Sequence, residues 1–430
     1  MIPRLKIVSA QRLGQRLFAR PYTHNFGLRK HLRYTRPLSS ITGSRCHSTA
    51  ASLSDGVLPA SFLRGGTSKG IFINRAHLPK DKAAWDAIFL RIMGSPDPVC
   101  GRQLDGMGGG ISSLSKIVVV GTPSEELRDQ GIDVEYTFVQ VGVRDAVVDY
   151  SGNCGNLSSM VGVFAVDEGI CMPEEKDDGM RAGVRSFNMN TRKVIDTSFP
   201  VDEQVSPLLD IPEALMAGVP GKASRIAMDF VNPAGAGTGR LLPTGSVVDT
   251  IQLSTDHSVL VSLVDATNPC VFVPFGQLPH GVLQGSGSIG SPSQSTVTPE
   301  GYQILEEIRV LAAEKMGIIP PSQAQPKIAI VGKPDPEDND ADITAIALSM
   351  GVQHKAIPMT VGLCLGVAAH LRHSVVQECL ADTDVLSRAI RLRHAGGIVE
   401  VGAKFNQDGH VLSANVVRTG RRLMKGHVWC

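Results

Sequence analysis

Residues 148–159, VDYSGNCGNLSS, decide how the rest of the chain is interpreted. A β-rich run, VEYTFVQVGVRDAVVDY, leads into this stretch, and the small apolar run MVGVFAVDEG that follows it is compatible with a helix. Cys154 is therefore predicted at a turn between a strand and a helix. The first free N–H groups of such a helix can hold an anion and lower the pKa of a thiol.

A Gly-Asn pair stands on each side of Cys154. Glycine leaves the backbone bare enough for a small molecule to approach closely. A lone cysteine beside a turn is most often a buried structural residue. The two flanking pairs favour an active-site corner instead.

Length and composition describe an ordinary globular protein. The chain has 430 residues, enough for two domains, with 42% hydrophobic and 19% charged residues. Its 45 Gly and 26 Pro favour a β-containing architecture. Because no apolar run reaches about 18 residues, no membrane helix is expected. The eight Cys include no CxxC pair, which indicates reduced thiols in an intracellular compartment and no metal site.

The charge distribution singles out residues 1–54, which contain ten basic and no acidic residues. The opening IPRLKIVSAQRLGQRLFAR would form a basic amphipathic helix, which predicts a mitochondrial transit segment. The alternative, a nucleic-acid-binding arm, would usually be richer in Lys. Without this segment the chain keeps 32 of its 42 basic residues and all 41 acidic residues. The resulting net charge of −9 argues against a nucleic-acid partner.

Two Gly-rich loops precede the Cys154 turn. In RGGTSKG (64–70), the GxxxxGK[ST] spacing of a nucleotide site is missing, so the loop is either an anion-binding turn with Ser68 inward or a hairpin without a ligand. In QLDGMGGGISSLSK (103–116), glycine N–H groups, Ser hydroxyls and the Lys116 amine suit an oxyanion or carboxylate better than a metal. Lys116 taken alone would be a solvated charge.

The second half repeats the first in outline. VDATNPCVFV (264–273) predicts a strand pair, and HKAIPMTVGLCLGVAAHLRH (354–373) runs from a turn into a helix near Thr360. A short helix is expected within SPLLDIPEALMAG (206–218). We therefore divide the chain into 1–54, 55–230 and 231–430, and allow the termini to cross over.

Several long motifs together resemble one family. RGGTSKG, DGMGGGISSLSK, DYSGNCGNLS, NPAGAGTGRLLPTG, VDATNPCVFV, PKIAIV and GRRLMKG follow an order similar to the PrpF-type 2-methylaconitate cis–trans isomerases. Methylitaconate Δ-isomerase and fungal aconitate Δ-isomerase look like members of the same group. The resemblance extends from about residue 58 to the C-terminus.

The resemblance implies an α+β, diaminopimelate-epimerase-like fold of two similar domains, each a curved, mostly antiparallel sheet around a central helix. The site would lie in the cleft between them. It also implies an isomerase of unsaturated di- or tricarboxylic acids that needs no cofactor, with a small-molecule substrate as its partner. We also allow for a homodimer.

Our hypothesis is that Lys116 is the base, with Cys154 as the alternative acid or base and Ser68 positioning the substrate. The resemblance places the family's catalytic lysine, active-site cysteine and loop serine at these three positions. It assigns carboxylate binding to residues of the two glycine-bearing loops and the second helix start: Gly109, Gly110, Ser112, Ser113, Asn153, Gly155, Asn156 and Thr360. Thr360 stands where two-base racemases of this fold carry a second cysteine, which disfavours a symmetric two-thiol mechanism. The HAGG at His394 also departs from the HPSG expected of the family.

The competing hypothesis is a non-catalytic accessory protein of an aconitase-type enzyme. The intact set of Lys116, Cys154 and Ser68 favours the isomerase. The sequence does not select among aconitate, methylaconitate and methylitaconate, nor between cis–trans isomerisation and a double-bond shift. The leader predicts the mitochondrial matrix, with the cytoplasm as the alternative.

Overall fold

The computed structural model describes residues 56–176, 180–285, 295–321, 325–349, 351–354 and 356–430. The predicted transit segment, 1–54, lies outside the described residues, so its helix stays a prediction.

The first half of the described chain is mostly strands. They are β1 (Val57–Gly65), β2 (Ser68–Asn74), β3 (Lys116–Gly121), β4 (Val134–Val141), β5 (Val148–Asp149), β6 (Glu174–Lys176), β7 (Arg181–Asn188), β8 (Lys193–Pro200), β9 (Ala214–Met216), β10 (Val219–Ala223) and β11 (Ile226–Val231). Its helices are α1 (Trp85–Met93), α2 (Glu125–Asp129), α3 (Gly155–Ser158) and α4 (Val161–Asp167).

The second half has the same character. Its strands are β12 (Asp249–Gln252), β13 (Ser258–Ala266), β14 (Asn268–Pro274), β15 (Leu283–Gln284), β16 (Thr296–Val297), β17 (Lys327–Gly332), β18 (Ile343–Ser349), β19 (Val352–Gln353), β20 (Ile390–His394), β21 (Gly397–Phe405), β22 (Val411–Arg418) and β23 (Gly420–Trp429). Its helices are α5 (Pro299–Lys315), α6 (Met359–Ala369) and α7 (Val375–Glu378).

The strands of the two halves pair in the same order. In the first half, β1 and β2 form an antiparallel hairpin, β2 runs parallel to β3, and β3 is antiparallel to β4. β4 then runs parallel to β7, which is antiparallel to β8, which is antiparallel to β11. The series β13, β14, β17, β18, β20, β21 and β22 repeats every one of these orientations.

The two series join where β11 pairs with β22. The strand that pairs with the outer side of each hairpin is also equivalent in the two halves. It is β12 beside β13 in the second half, and the C-terminal β23 beside β1 in the first. Each half is therefore a mostly antiparallel sheet, and β23 belongs by its pairing to the first. This repeat confirms the predicted diaminopimelate-epimerase-like architecture. The boundary near residue 230 stays a prediction.

A buried helix forms the centre of each half. α4 packs on β3, β4, β7 and β8, and α6 packs on β13, β14, β21 and β22. Every side chain from Val361 to Ala369 is buried, as expected of a helix that is apolar on all faces. Glycines allow the close packing: a Cβ on Gly162 of α4 would lie 2.5 Å from Thr197 Oγ1, and one on Gly366 of α6 would lie 3.0 Å from the backbone of Gly402.

The prediction of a short helix within residues 206–218 was wrong. The segment contains strand β9, which pairs antiparallel with β10. Pro212 disfavours the helical region for Ile211, which precedes it. Gly218 adopts a φ of +79°, which allows the chain to reverse into β10. Proline and glycine at these positions outweigh the local helix propensity.

Replacing Gly162 by Val should destabilise the protein by about 1–3 kcal/mol, because the added side chain would overlap Thr197 and Val184. Gly276→Val is the matched control, since a Cβ there meets nothing within 4 Å. Urea unfolding of both variants measures the difference. Equal stability of the two variants would contradict the close packing of α4 on the sheet.

Candidate active site

The β1–β2 hairpin brings Ser68 to the Cys154 turn. Gly66 and Thr67 form the two-residue connection, and Gly66 has a φ of +51°. A Cβ on Gly65 would lie 2.2 Å from Asn156 O, so only glycine allows the hairpin to lie on the turn. Ser68 begins β2 and is buried, and the Cys154 thiol lies 3.6 Å from its Oγ.

Lys116 begins β3 and is only 8% exposed. Its Nζ donates to Gln140 Oε1 and lies 5.1 Å from the centroid of the Phe138 ring. Burial lowers the pKa of the Lys116 amine from its ordinary value, and the nearby Cys154 partly opposes the shift. The structure thus places the amine and the thiol close enough to interact.

Gln140 holds the Lys116 amine and was missed by sequence reasoning. The two residues are opposite each other across β3 and β4. The Gln140 amide donates to the carbonyls of Ser112 and Ser115, at 3.2 and 3.0 Å. Its carbonyl oxygen therefore faces Lys116. The available signal was a polar residue in phase with Tyr136 and Phe138 on one face of a strand.

The glycines before Lys116 wrap around Gln103. The buried Gln103 Oε1 accepts from Gly110 N at 2.9 Å and from Ser115 Oγ at 2.6 Å. Cβ atoms on Gly108 and Gly109 would overlap Gln103 and Leu114. The N–H of Gly110, predicted to bind a carboxylate, is therefore bonded within the loop. Ser112 is exposed and Ser113 is half-buried in the following turn, and this segment supports Gln140.

Cys154 is the N-cap residue of α3 and is half-buried, as the strand–turn–helix prediction required. Asn153 is fixed from behind: its Oδ1 accepts from Ser158 Oγ at 3.1 Å and from Tyr136 OH at 3.3 Å. The buried Tyr136 hydroxyl also lies 2.8 Å from Ser158 Oγ. Burial raises the pKa of Tyr136 to about 12, so the group remains a neutral hydrogen-bond donor.

Asn156 connects the hairpin to a buried arginine. Its Nδ2 donates to Thr67 Oγ1 at 3.1 Å, and its Oδ1 accepts from Arg418 Nε at 3.0 Å. Arg418 is 4% exposed. Burial lowers the pKa of Arg418 to about 10, and Cys154 partly opposes the shift. Asn156 is thus bonded at both ends, and Arg418, absent from the sequence prediction, lies near the thiol.

His394 lies in the same region. It is buried, and its Nδ1 accepts from Gly396 N at 3.0 Å. Burial lowers the pKa of His394 to about 4, and the Arg418 charge adds to the effect. The imidazole is therefore neutral at pH 7. The HAGG sequence here folds back on His394 through this hydrogen bond.

The start of α6 meets the Cys154 turn. A Cβ on Gly155 would lie 2.2 Å from Met359 Sδ, and the carbonyl of Thr360 accepts from Thr267 Oγ1 at 3.0 Å. A cavity of about 330 Å³ lies at this junction. Asn153, Gly155 and Thr360 line it, whereas Ser68, Lys116 and Cys154 do not. The predicted residues therefore occupy two adjoining regions around one turn.

Charge in the site is one-sided. Lys116 and Arg418 are both buried basic groups, and neither pairs with a carboxylate in the part of the chain that the structure describes. Within the same residues, no group of three His, Cys, Asp or Glu side chains is arranged to hold a metal ion. No helix among them is long and apolar enough to cross a membrane. A site of this charge suits an anionic ligand.

Proteins similar to this chain are named isomerases. The 3-methylitaconate isomerase of Eubacterium barkeri is 35% identical in an alignment of 389 residues that covers 86% of this chain and 97% of that protein. The 2-methyl-aconitate isomerase of Cupriavidus necator is 32% identical in an alignment of 391 residues that covers 86% of this chain and 96% of that protein. The crystal structure of methylitaconate-delta-isomerase matches with a TM-score of 0.75 at 34% identity, covering 87% of this chain and 96% of that one. This chain is an isomerase.

The family follows from the same comparison. The model of a family described as PrpF protein matches residues 57–430, nearly all of the described chain. The chain belongs to the PrpF family, as its motifs indicated.

Tyr136→Phe should lower the free energy of unfolding by about 1 kcal/mol, because it removes a buried hydroxyl bonded to Ser158 and Asn153. Tyr150→Phe is the control, since that hydroxyl bonds an exposed Asp86 carboxylate and its loss should matter less. Denaturant unfolding of both variants measures the difference. An equal or larger loss in Tyr150→Phe would show that Tyr136 does not support the turn.

Proposed function

We propose that this protein isomerises unsaturated tricarboxylic acids of the aconitate type by allylic proton transfer, without a cofactor. The name of the 2-methyl-aconitate isomerase supports this substrate class, and that of the 3-methylitaconate isomerase extends it to an unsaturated dicarboxylic acid. The observation that carries the proposal is a buried amine within electrostatic range of a thiol at a glycine-flanked turn. The neighbouring Arg418 has no carboxylate partner among the residues that the structure describes.

Lys116 is proposed as the base. A buried amine with a lowered pKa has a larger neutral fraction near pH 7 than an exposed lysine, and only the neutral form accepts a proton. The Gln140 carbonyl and the Phe138 ring orient the amine and stabilise the ammonium that forms.

The reaction begins when Lys116 Nζ takes a proton from the methylene carbon next to the double bond. The electron pair of that C–H bond spreads over the allyl system and onto a conjugated carboxylate, giving a dienolate. The central bond then has less double-bond character and rotates. Return of the proton to the same carbon completes a cis–trans isomerisation, and its return to the other end of the allyl system shifts the double bond.

Cys154 is proposed as the second acid or base, because its thiol interacts with the Lys116 amine and lies at the turn. Ser68 would position the substrate, since its buried hydroxyl lies 3.6 Å from the thiol. Ser68 thus lies on the hairpin side of the hairpin–turn contact and Cys154 on the turn side.

The remaining predicted residues divide by their contacts. Asn153, Gly155 and Thr360 line the 330 Å³ cavity and are proposed to hold a substrate carboxylate there. Asn156 is bonded to Thr67 and Arg418, and is proposed as a positioning residue. Carboxylate binding by the loop that contains Gly109, Gly110, Ser112 and Ser113 stays a prediction.

The experiment that tests this function is incubation of the purified protein with cis-aconitate, 2-methylaconitate or methylitaconate in deuterated water, followed by proton NMR. The expected result is a new isomer with deuterium at an allylic carbon. No product from any of the three acids, with stimulation of an aconitase-type enzyme instead, would favour the accessory hypothesis.

Lys116→Met should lower kcat by about 100-fold to 10 000-fold, the range for loss of a general base. Lys69→Met is the matched control: this amine lies over the Phe62 ring beside Ser68, and its loss should change kcat little. The rate should rise with pH as Lys116 loses its proton, at a pH below the ordinary lysine pKa of 10.5, because burial lowers that pKa. Full activity of Lys116→Met with loss of activity in Cys154→Ser would reverse the two roles.

We also propose that residues 1–54 direct the protein to the mitochondrial matrix, on the strength of their ten basic residues. Fused to a fluorescent protein in eukaryotic cells, they should carry it to mitochondria, and the same segment with Arg12, Arg16 and Arg20 replaced by Glu should not. A cytoplasmic signal from the unaltered fusion would overturn this. A homodimer stays a prediction that light scattering of the purified protein would test.

A further inference from the structure

We propose that Arg418 binds a carboxylate of the substrate beside Cys154 and Lys116, and that it stabilises the negative charge that develops as the proton leaves. This inference rests on the proposed function and adds a substrate-binding residue to it. The geometry of Arg418, its burial and the charges around it carry the argument.

Arg418 has donors that the protein does not use. A guanidinium carries five N–H groups. Nε donates to Asn156 Oδ1 at 3.0 Å, and Nη1 donates to Val417 O at 2.9 Å. No other hydrogen bond and no ion pair of Arg418 occurs within the described residues. Its Nη2 group and one Nη1 proton therefore remain available to a ligand.

Burial makes this arrangement costly without a ligand. Arg418 is only 4% exposed, and an unpaired buried charge costs several kcal/mol. Buried arginines are normally paired with carboxylates or phosphates. A substrate carboxylate would offset this cost, and the planar guanidinium suits two parallel hydrogen bonds to it.

The charges around Arg418 favour an anion. Cys154 and His394 interact with it electrostatically, and His394 is neutral at pH 7. Lys116 interacts with the same thiol, so a second basic group lies in this region. No acidic side chain forms an ion pair with either basic group among the residues that the structure describes.

The position of Arg418 is fixed by both halves of the fold. It is the last residue of β22 and is opposite Ile226 of β11, where the two series of strands join. Asn156 orients the Nε edge from the Cys154 turn. Gly66 allows the close approach of the hairpin, since a Cβ there would lie 3.3 Å from Arg418 Cδ. A group held this rigidly can stabilise a transition state without reorganising.

The test compares Arg418→Met, Arg418→Ala and Arg418→Lys with Arg421→Met, which removes an exposed arginine three residues along the chain. Steady-state kinetics on the aconitate isomer that the wild type converts give kcat and KM separately. Calorimetry with propane-1,2,3-tricarboxylate, a saturated analogue with no double bond, measures carboxylate binding alone. Thermal unfolding of each variant reports its stability.

Arg418→Met should lose about 100-fold in kcat/KM, the effect of one charge-assisted hydrogen-bonding group, and should bind the analogue correspondingly more weakly. Arg418→Lys should keep the fold and the charge but recover only part of this loss, because a lysine lacks the planar pair of donors. Millimolar guanidinium should partly restore Arg418→Ala. Arg421→Met should behave as the wild type.

Arg418→Met and Arg418→Lys that are less stable but retain normal kcat, KM and analogue binding would overturn the proposal and leave Arg418 a structural residue. If Arg418→Met does not fold, normal binding by Arg418→Lys together with no guanidinium rescue does the same. Wild-type protein that binds the analogue through Arg418 but converts no acid would contradict the proposed function alone. Wild-type protein that neither binds the analogue nor converts any of the acids would contradict both.

Discussion

The site depends on the contact between the β1–β2 hairpin and the Cys154 turn. Gly65 and Gly66 bring the hairpin so close to Asn156 that any side chain would overlap it. This contact places Ser68 beside the thiol, and Asn156 then orients Arg418 from the opposite side of the fold. The hairpin, the turn and the end of β22 are therefore fixed by one another, although 262 residues separate Asn156 from Arg418.

Around this contact the protein buries basic side chains, which are usually exposed to solvent. The Lys116 amine is buried under a phenyl ring with an amide as its hydrogen-bond partner, and a carboxylate at that place would keep it protonated. The amide is a compromise, because it orients the amine without strongly raising its pKa. Burial also sets the protonation state of Tyr136, whose raised pKa keeps its hydroxyl a neutral donor to Asn153.

The sequence was most informative where residues break a regular pattern. Cys154 and Ser68 could be proposed because each lies beside glycines at the junction of two elements. Lys116 could be proposed because it ends a glycine-rich loop, and the family motifs agreed. Gln140 and Arg418 lie inside regular strands. Arg418 shares the inward phase of Ala414 and Val416, and this was its only local signal. Pairing between residues far apart in one sequence has no local signature, so neither the Lys116–Gln140 nor the Asn156–Arg418 contact could be predicted. The repeat of strand order between the halves was visible only in outline, because it depends on pairs of strands that are far apart in the sequence, such as β11 and β22.

The pairing of β23 with β1 has a consequence for how the protein is made. The hairpin that carries Ser68 has its outer strand bonded along its whole length to residues 420–429, and the Gly66 amide donates to Thr419 O at 2.9 Å. During translation the N-terminal half therefore emerges with an unpaired edge strand, and waits for the rest of the chain before its sheet is complete. The nascent chain is prone to aggregation during this interval, which is when chaperones would bind it.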